Sequence, residues 1–266
     1  MQYELVEVRY EGDYATITLN HPQRRNALSL KMMEELTAAF SEVGESPVLG
    51  VTLAANGPAF SAGHDFADMV GQDLVAMRRL LQICTTLMNT IQAIPQPVLA
   101  RVHAIATAAG CQLVATCDLA VASTEAKFAT PGGKGGWFCT TPMVALSRNI
   151  GRKRALEMLL TGEPIDAQTA YEWGLVNRVV PPERLVEEAQ RLLEAATRGS
   201  FISKGLGKQA FYAQIDLPQS QAYSYALEVM AASSQLPDAQ EGMRAFLEKR
   251  PPRFLRPGER PEHSPA

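Results

Sequence analysis

Phe60-Ser61-Ala62-Gly63-His64-Asp65 and Ala108-Ala109-Gly110-Cys111-Gln112 are the two stretches that decide the fold of this 266-residue chain. Each joins the end of an apolar run to a segment of helical pattern, through glycine and alanine. A junction of this kind leaves backbone N–H groups without intrahelical partners, aimed at whatever sits in front of them. One such junction is an ordinary tight connection, or a place where small residues let a helix pack against a sheet. Two of them, each following a buried strand, point to a paired backbone-donor site of the oxyanion-hole type.

Outward from these turns the pattern alternates strand and helix. Residues 3–10 and 14–20 alternate apolar and polar around Glu11-Gly12-Asp13, which predicts a β-hairpin. Ser29 caps an amphipathic helix running to about Val43. Val48 to Ala54 is a short buried strand, and a helix spans Asp73 to Ala93, ended by Ile94-Pro95-Gln96-Pro97. Strands at Val98–Val102 and Leu119–Ala122 flank a helix that ends near Cys117. Strands alternating with helices predict βαβ units with largely parallel pairing. From residue 140 on, segments 140–149, 151–160, 166–173, 183–198, 200–213, 218–234 and 238–248 read as helices, with one strand at Val176–Val180. The expected organisation is an α/β core over 1–195, a helical region over 196–255, and a disordered, proline-rich tail over 256–266.

Composition excludes several classes. Lys and Arg number 25 against 28 Asp and Glu, a net charge of −3 that leaves no global basic footprint for nucleic acid. The four cysteines lack CxxC spacing, and with only four histidines a structural metal site is not expected. No apolar run reaches the length of a membrane span. With no basic leader in Met1-Gln2-Tyr3-Glu4, the expected compartment is the cytoplasm.

The motifs resemble those of the enoyl-CoA hydratase/isomerase (crotonase) superfamily. Phe60 to Met69 is similar to its AGxD-type oxyanion turn, and Ala108 to Leu113 with Cys117-Asp118 to its GGGxxL…CD segment. Asn26-Ala27-Leu28 after His21-Pro22 resembles the RPxxxNAL turn. Leu160 to Ala167 with Gly174-Leu175-Val176 resembles LTGxxIxAxxAxxxGLV, and Glu241 to Arg250 resembles the family ending. The match runs in order over residues 4–255. Thr107 to Gln112 with Phe138 to Pro142 further resembles the branch of enoyl-CoA hydratase domain-containing proteins.

The resemblance implies a crotonase-like (ClpP/crotonase) α/β spiral of ββα units whose helical C-terminal region trimerises, giving a homotrimer or homohexamer. It implies an acyl-CoA substrate, with coenzyme A part of that substrate and no separate cofactor, in fatty-acid or related metabolism. The thioester carbonyl is expected between the amides of His64 and Ala109, with Gly110 in the turn. Arg24, Arg25, Ala27, Ala62, Asp65, Phe246 and Lys249 are the expected contacts to the CoA thioester, and Trp137 and Phe138 shape the acyl pocket.

The departure from the family lies in its acids. The two glutamates of a hydratase fall on Gln112 and Gly132 here. An amide can hold a water but cannot take its proton, and glycine has no side chain. General acid–base groups contribute about 10²–10⁴ each, so hydration by the usual route is doubtful. Restoring both acids is expected to raise hydratase activity if the pocket is otherwise intact. Two alternatives stay open: an acyl-CoA-binding protein without catalysis, and another family reaction such as thioester hydrolysis, for which Cys139 is the candidate nucleophile.

Overall fold

The structure, a computed structural model, describes residues 3–259. β1 (Val6–Glu11) and β2 (Tyr14–Leu19) form the expected antiparallel hairpin, Glu11 facing Tyr14 across the turn. α1 (Leu30–Glu45) starts at Ser29, whose side chain accepts the Met32 N–H. β3 (Gly50–Ala55) pairs in parallel with β2 and is buried on both faces, which explains its unbroken run of small and apolar residues. α2 (Leu74–Ala93) is capped by the Asp73 side chain and stops ahead of the prolines. β4 (Val98–Val102) continues the sheet.

The next elements hold the second quoted turn. β5 (Ala106–Thr107) leads directly into α3 (Ala109–Thr116), after which β6 (Leu119–Ser123) returns to the sheet beside β4. β7 (Lys127–Ala129) is followed by a short 3-10 helix over Pro131–Gly135. Then come α4 (Pro142–Asn149), α5 (Arg152–Thr161), β8 (Ile165–Asp166), α6 (Ala167–Trp173) and β9 (Arg178–Val180). Four helices complete the described chain: α7 (Leu185–Thr197), α8 (Phe201–Gln214), α9 (Gln219–Ser233) and α10 (Pro237–Leu247).

Two sheets result. The large one has the order β1-β2-β3-β4-β6-β9, parallel throughout except for the hairpin. The small one, β5-β7-β8, is built from strands of two and three residues. The main core lies where α1 and α2 cover the large sheet, around Phe40, Leu36, Leu53, Phe60 and Leu87. A second cluster of Leu99, Val121, Leu185, Ala189 and Leu193 packs α7 on the sheet.

α8 is tied to this core by a buried ion pair. Lys208 Nζ lies 2.8 Å from Asp118 Oδ2 and also donates to the Ile91 and Gln96 carbonyls. Asp118 in turn accepts the Val98 N–H and the Tyr212 hydroxyl. The tail expected to be disordered falls partly at Arg256, which pairs with Asp13; its residues 260–266 lie outside the described residues.

Candidate active site

The two turns meet. Gly63 has φ +85°, and a Cβ placed there would stand 2.9 Å from Ala108 Cβ, 3.0 Å from the Thr107 carbonyl oxygen and 3.2 Å from the Ala109 nitrogen. A Cβ at Gly110 would stand 2.5 Å from the Ser61 carbonyl oxygen. Each turn therefore carries a glycine where the other turn passes, and only glycine allows that approach. Ala108, between them, adopts φ 52° and ψ −120°, a backbone conformation that costs an L residue of order 1–3 kcal/mol. Strain of this size persists because the surrounding contacts hold it: the Ala108 N–H donates to Ala129 and the Thr107 N–H to Ser61.

A buried asparagine holds the first turn in place. Asn26, itself at φ 52°, donates through Nδ2 to the Asn56 and Ala59 carbonyls and accepts the His21 N–H. Its own carbonyl accepts the Ser61 hydroxyl. The His21-Pro22…Asn26-Ala27-Leu28 motif thus braces Phe60–Asp65 from behind. Leu28 donates to the Gly63 carbonyl and accepts the Asp65 N–H, so strand alternation turns the His64 N–H away from it. Among the described residues, neither the His64 N–H nor the Ala109 N–H donates a hydrogen bond. Ala109 is the first residue of α3, where an amide has no intrahelical acceptor.

Both residues line one cavity of about 560 Å³, together with Ala62, Phe66, Leu81, Thr107, Ala108, Pro131, Gly132, Lys134, Gly135, Trp137, Phe138, Cys139, Thr140, Thr141 and Pro142. The size is that of a small-molecule site. Its wall is mostly apolar, and among the described residues no Asp or Glu lines it. Lys134, the one Lys or Arg among them, forms an ion pair with Glu163.

Burial favours the neutral forms of two further groups of the cavity, His64 and Cys139. Burial lowers the pKa of His64, against a weak opposing contact from its Nδ1 to the Leu28 carbonyl at 3.4 Å. Its Nε2 is buried without a partner among the described residues. Burial raises the pKa of the Cys139 thiol, partly offset by the Gly132 N–H that reaches its sulfur at 3.3 Å.

The expected site residues divide. His64, Ala62, Ala109, Gly132, Trp137, Phe138 and Cys139 come together around the cavity. Gln112 does not line it: the side chain is buried in α3, with Oε1 unpartnered among the described residues. Arg24 makes a two-pronged pair with Asp65 at 2.8 and 2.9 Å, and Asp65 also accepts the Ala67 N–H. Burial alone would raise the Asp65 pKa; these partners outweigh it and hold the carboxyl below the usual range. Arg25 and Ala27 belong to the bracing turn, and Phe246 and Lys249 lie at α10, away from the cavity wall. Thr140 and Thr141 line the cavity as part of the Pro131–Thr141 segment expected to form its wall, whereas Phe66, Leu81 and Thr107 line it without having been expected. Phe66 directly follows the oxyanion-type turn, which was the available signal; for Leu81 the helical pattern alone did not show which face meets the pocket.

Comparison with known proteins agrees with this architecture. Residues 10–257 match the family model described as enoyl-CoA hydratase/isomerase. The rat protein "Enoyl-CoA hydratase domain-containing protein 3, mitochondrial" is 46% identical over 250 residues, covering 93% of this chain and 83% of the relative. A crystal structure of an enoyl-CoA hydratase from Mycobacterium smegmatis superimposes with a TM-score of 0.91 at 47% identity, covering 94% of this chain and 98% of that one. The human enoyl-CoA hydratase domain-containing protein 3 does so with a TM-score of 0.90 at 42% identity, covering 94% and 99%. The animal relatives overturn one expectation: their descriptions place them in mitochondria, so a plain cytoplasmic location is withdrawn. A compartment is addressed by segments separate from the folded domain, so composition was a poor guide to it. Among the described residues no helix is long and apolar enough to cross a membrane. With the family model spanning nearly the whole chain and the crotonase fold shared with these structures, the chain belongs to the enoyl-CoA hydratase/isomerase family.

Proposed function

We propose that this chain binds an acyl-CoA or enoyl-CoA thioester and polarises its carbonyl between the amides of His64 and Ala109, and that it is a poor hydratase. The observation that carries the reading is the pair of unpartnered N–H groups on two interlocked turns beside one apolar cavity. A thioester oxygen that gains negative charge as an enolate or tetrahedral adduct forms is what such donors stabilise, each by about 10²–10³ in rate. The N-terminus of α3 adds its positive dipole end. The expected acids do not support hydration. Gln112 is buried and is not among the residues lining the cavity, Gly132 has no side chain, and no carboxylate among the described residues lines the cavity.

Thioester hydrolysis through Cys139 has less support, because a buried, protonated thiol with no imidazole partner is a poor nucleophile. Binding without turnover is favoured by the same carboxylate-free wall, and stands as the second reading. For the CoA portion, Arg24, Arg25, Phe246 and Lys249 remain the proposed contacts, and Arg24 would have to exchange Asp65 for a phosphate. The exposed apolar side chains of α8 to α10, among them Phe211, Leu227 and Met230, suit the proposed assembly into trimers or pairs of trimers.

The test uses an acyl-CoA carrying ¹³C at the thioester carbonyl. Binding should move that resonance downfield. Gly63→Ala, which forces the turns apart, should remove the shift, whereas His64→Ala, which keeps the amide, should retain it. An unshifted carbonyl in bound wild-type complex would defeat the oxyanion assignment. Fast hydration of crotonyl-CoA would defeat the claim about the acids, and mass spectrometry of an acyl-CoA panel separates turnover from binding alone.

A further inference from the structure

The apolar wall of the cavity is made of rings. Phe66, Trp137 and Phe138 line it together with His64, and the one branched aliphatic side chain beside them among the described residues is Leu81. The other lining residues are alanines, glycines, threonines, prolines, one cysteine and one lysine. The chain has ten methionines and builds its main core from leucine, isoleucine, valine and methionine. Yet no methionine, isoleucine or valine reaches this wall among the described residues. Flexible and branched side chains adapt to the contour of a saturated chain, whereas flat rings offer π faces and edges to other rings. The rings also stand beside the first amide. The imidazole of His64 hangs from the residue that carries that N–H, and its centroid lies 6.5 Å from that of the Trp137 ring, tilted by 48°. Apart from this pair, no ring of the wall has a ring partner among the described residues. Phe66 is 69% exposed and Trp137 45%, so both keep free ring surface.

We infer that the acyl group of the substrate carries an aromatic ring, joined to the thioester carbonyl directly or through one carbon and held against Trp137 and Phe66. This rests on the thioester reading above and adds the substrate class to it. A thioester oxygen seated on the His64 amide puts the carbonyl carbon one bond away and the first acyl atom two bonds away. A ring attached there lies next to His64 itself, and so next to the indole that already faces the imidazole. Hydrophobic transfer alone ranks a saturated ring above a phenyl ring of the same outline, because the saturated ring removes more apolar surface from water. Ring-to-ring contact reverses that order, by about two- to tenfold for each pair formed.

The experiment measures Kd by calorimetry for two matched pairs, benzoyl- with cyclohexanecarbonyl-CoA and phenylacetyl- with cyclohexylacetyl-CoA, and for butyryl-CoA as a ringless reference. The proteins are the wild type, Trp137→Leu and Phe66→Leu, whose replaced side chains are both well exposed. Each result is the ratio of the two members of a pair within one protein, so a general loss of affinity cancels. The wild type should favour the aromatic member of at least one pair by about two- to tenfold. Trp137→Leu should bring that ratio to one or below, and Phe66→Leu should reduce it. A wild type that binds the saturated members equally or better overturns the inference while leaving the thioester reading intact. So does an aromatic preference that survives unchanged in both variants. If Trp137→Leu binds no thioester, the Phe66→Leu ratio decides between the same two outcomes. Failure of every thioester to bind the wild type, butyryl included, overturns both readings.

Discussion

Gly132 donates its N–H to Cys139 Sγ at 3.3 Å, and a Cβ at Gly132 would lie 2.8 Å from that sulfur and 2.2 Å from the Trp137 carbonyl oxygen. The Gly132 carbonyl in turn accepts the Trp137 N–H at 2.9 Å. The loop therefore folds back on the glycine itself and fills the volume that a side chain would need. From the sequence alone, Gly132 reads as a hydratase position with its acid removed. The geometry says that the loop has closed over the vacancy.

That changes what a restoration experiment should find. Gly132→Glu, alone or with Gln112→Glu, must displace the Trp137 backbone, and overpacking of this kind costs about 1–3 kcal/mol. We expect Tm to fall by about 5 °C and crotonyl-CoA hydration to stay near the wild-type level. A double variant that is as stable as wild type and hydrates rapidly would refute the closed-loop account.

Ala108 holds a conformation that glycine adopts freely, with φ 52° and ψ −120°. Ala108→Gly removes strain of order 1–3 kcal/mol but restores some flexibility to the unfolded chain, worth about 0.4–1 kcal/mol. The net expectation is a gain of about 1 kcal/mol in denaturant unfolding, with the amide of Ala109 still in position. A loss of stability would mean that the Ala108 methyl, which packs at the point where Gly63 passes, contributes more than its strain costs.

Much of this was legible beforehand, and for identifiable reasons. The hairpin turn at Gly12-Asp13 and the caps at Ser29 and Asp73 are local chemistry, so the strands and helices they bound came out within two or three residues. β3, β4 and β6 were readable because strands buried on both faces become unbroken apolar runs. The small sheet was missed: β5 and β8 have two residues and β7 three, too few for any period to register. The two oxyanion-type turns were readable from their glycines, but their interlocking depends on Gly63 meeting Ala109, residues 46 apart in sequence. The Arg24–Asp65 pair is hidden for the same reason. Gln112 shows a different limit, since position on a helix does not say whether a buried side chain lines a cavity, and this one does not.

Cys139 gives a test based on pH. Burial raises its pKa, so at pH 7.5 its thiolate fraction should lie below that of a free cysteine. Iodoacetamide should alkylate it more slowly in the native protein than a free cysteine at the same pH, and Cys139→Ala should leave any thioester activity in place. Rapid labelling at neutral pH would revive the nucleophile. The sign for stability follows from the same burial. Cys84 and Cys111 are pushed up to about 12, above an unfolded thiol at about 8.5. Their contribution is fully present below the unfolded pKa and is lost as pH rises toward 12, so Tm should decline through that window.

Lys208 and Asp118 test how the C-terminal helices are held. The ammonium is buried, and burial lowers its pKa while the Asp118 carboxylate opposes that shift. Lys208→Met would leave Asp118 facing Tyr212 and the Val98 N–H with no cation, and would orphan the Ile91 and Gln96 carbonyls that Lys208 now satisfies. Breaking one side of a buried pair costs about 3–5 kcal/mol, most of it from the charge left behind. Tm should therefore fall by about 10 °C. Adding Asp118→Asn removes the stranded charge but keeps an acceptor for Tyr212, so the double variant should recover part of the loss instead of adding to it. Strictly additive losses in that cycle would show that the two groups contribute independently, and that α8 is held by its apolar contacts and not by this ion pair.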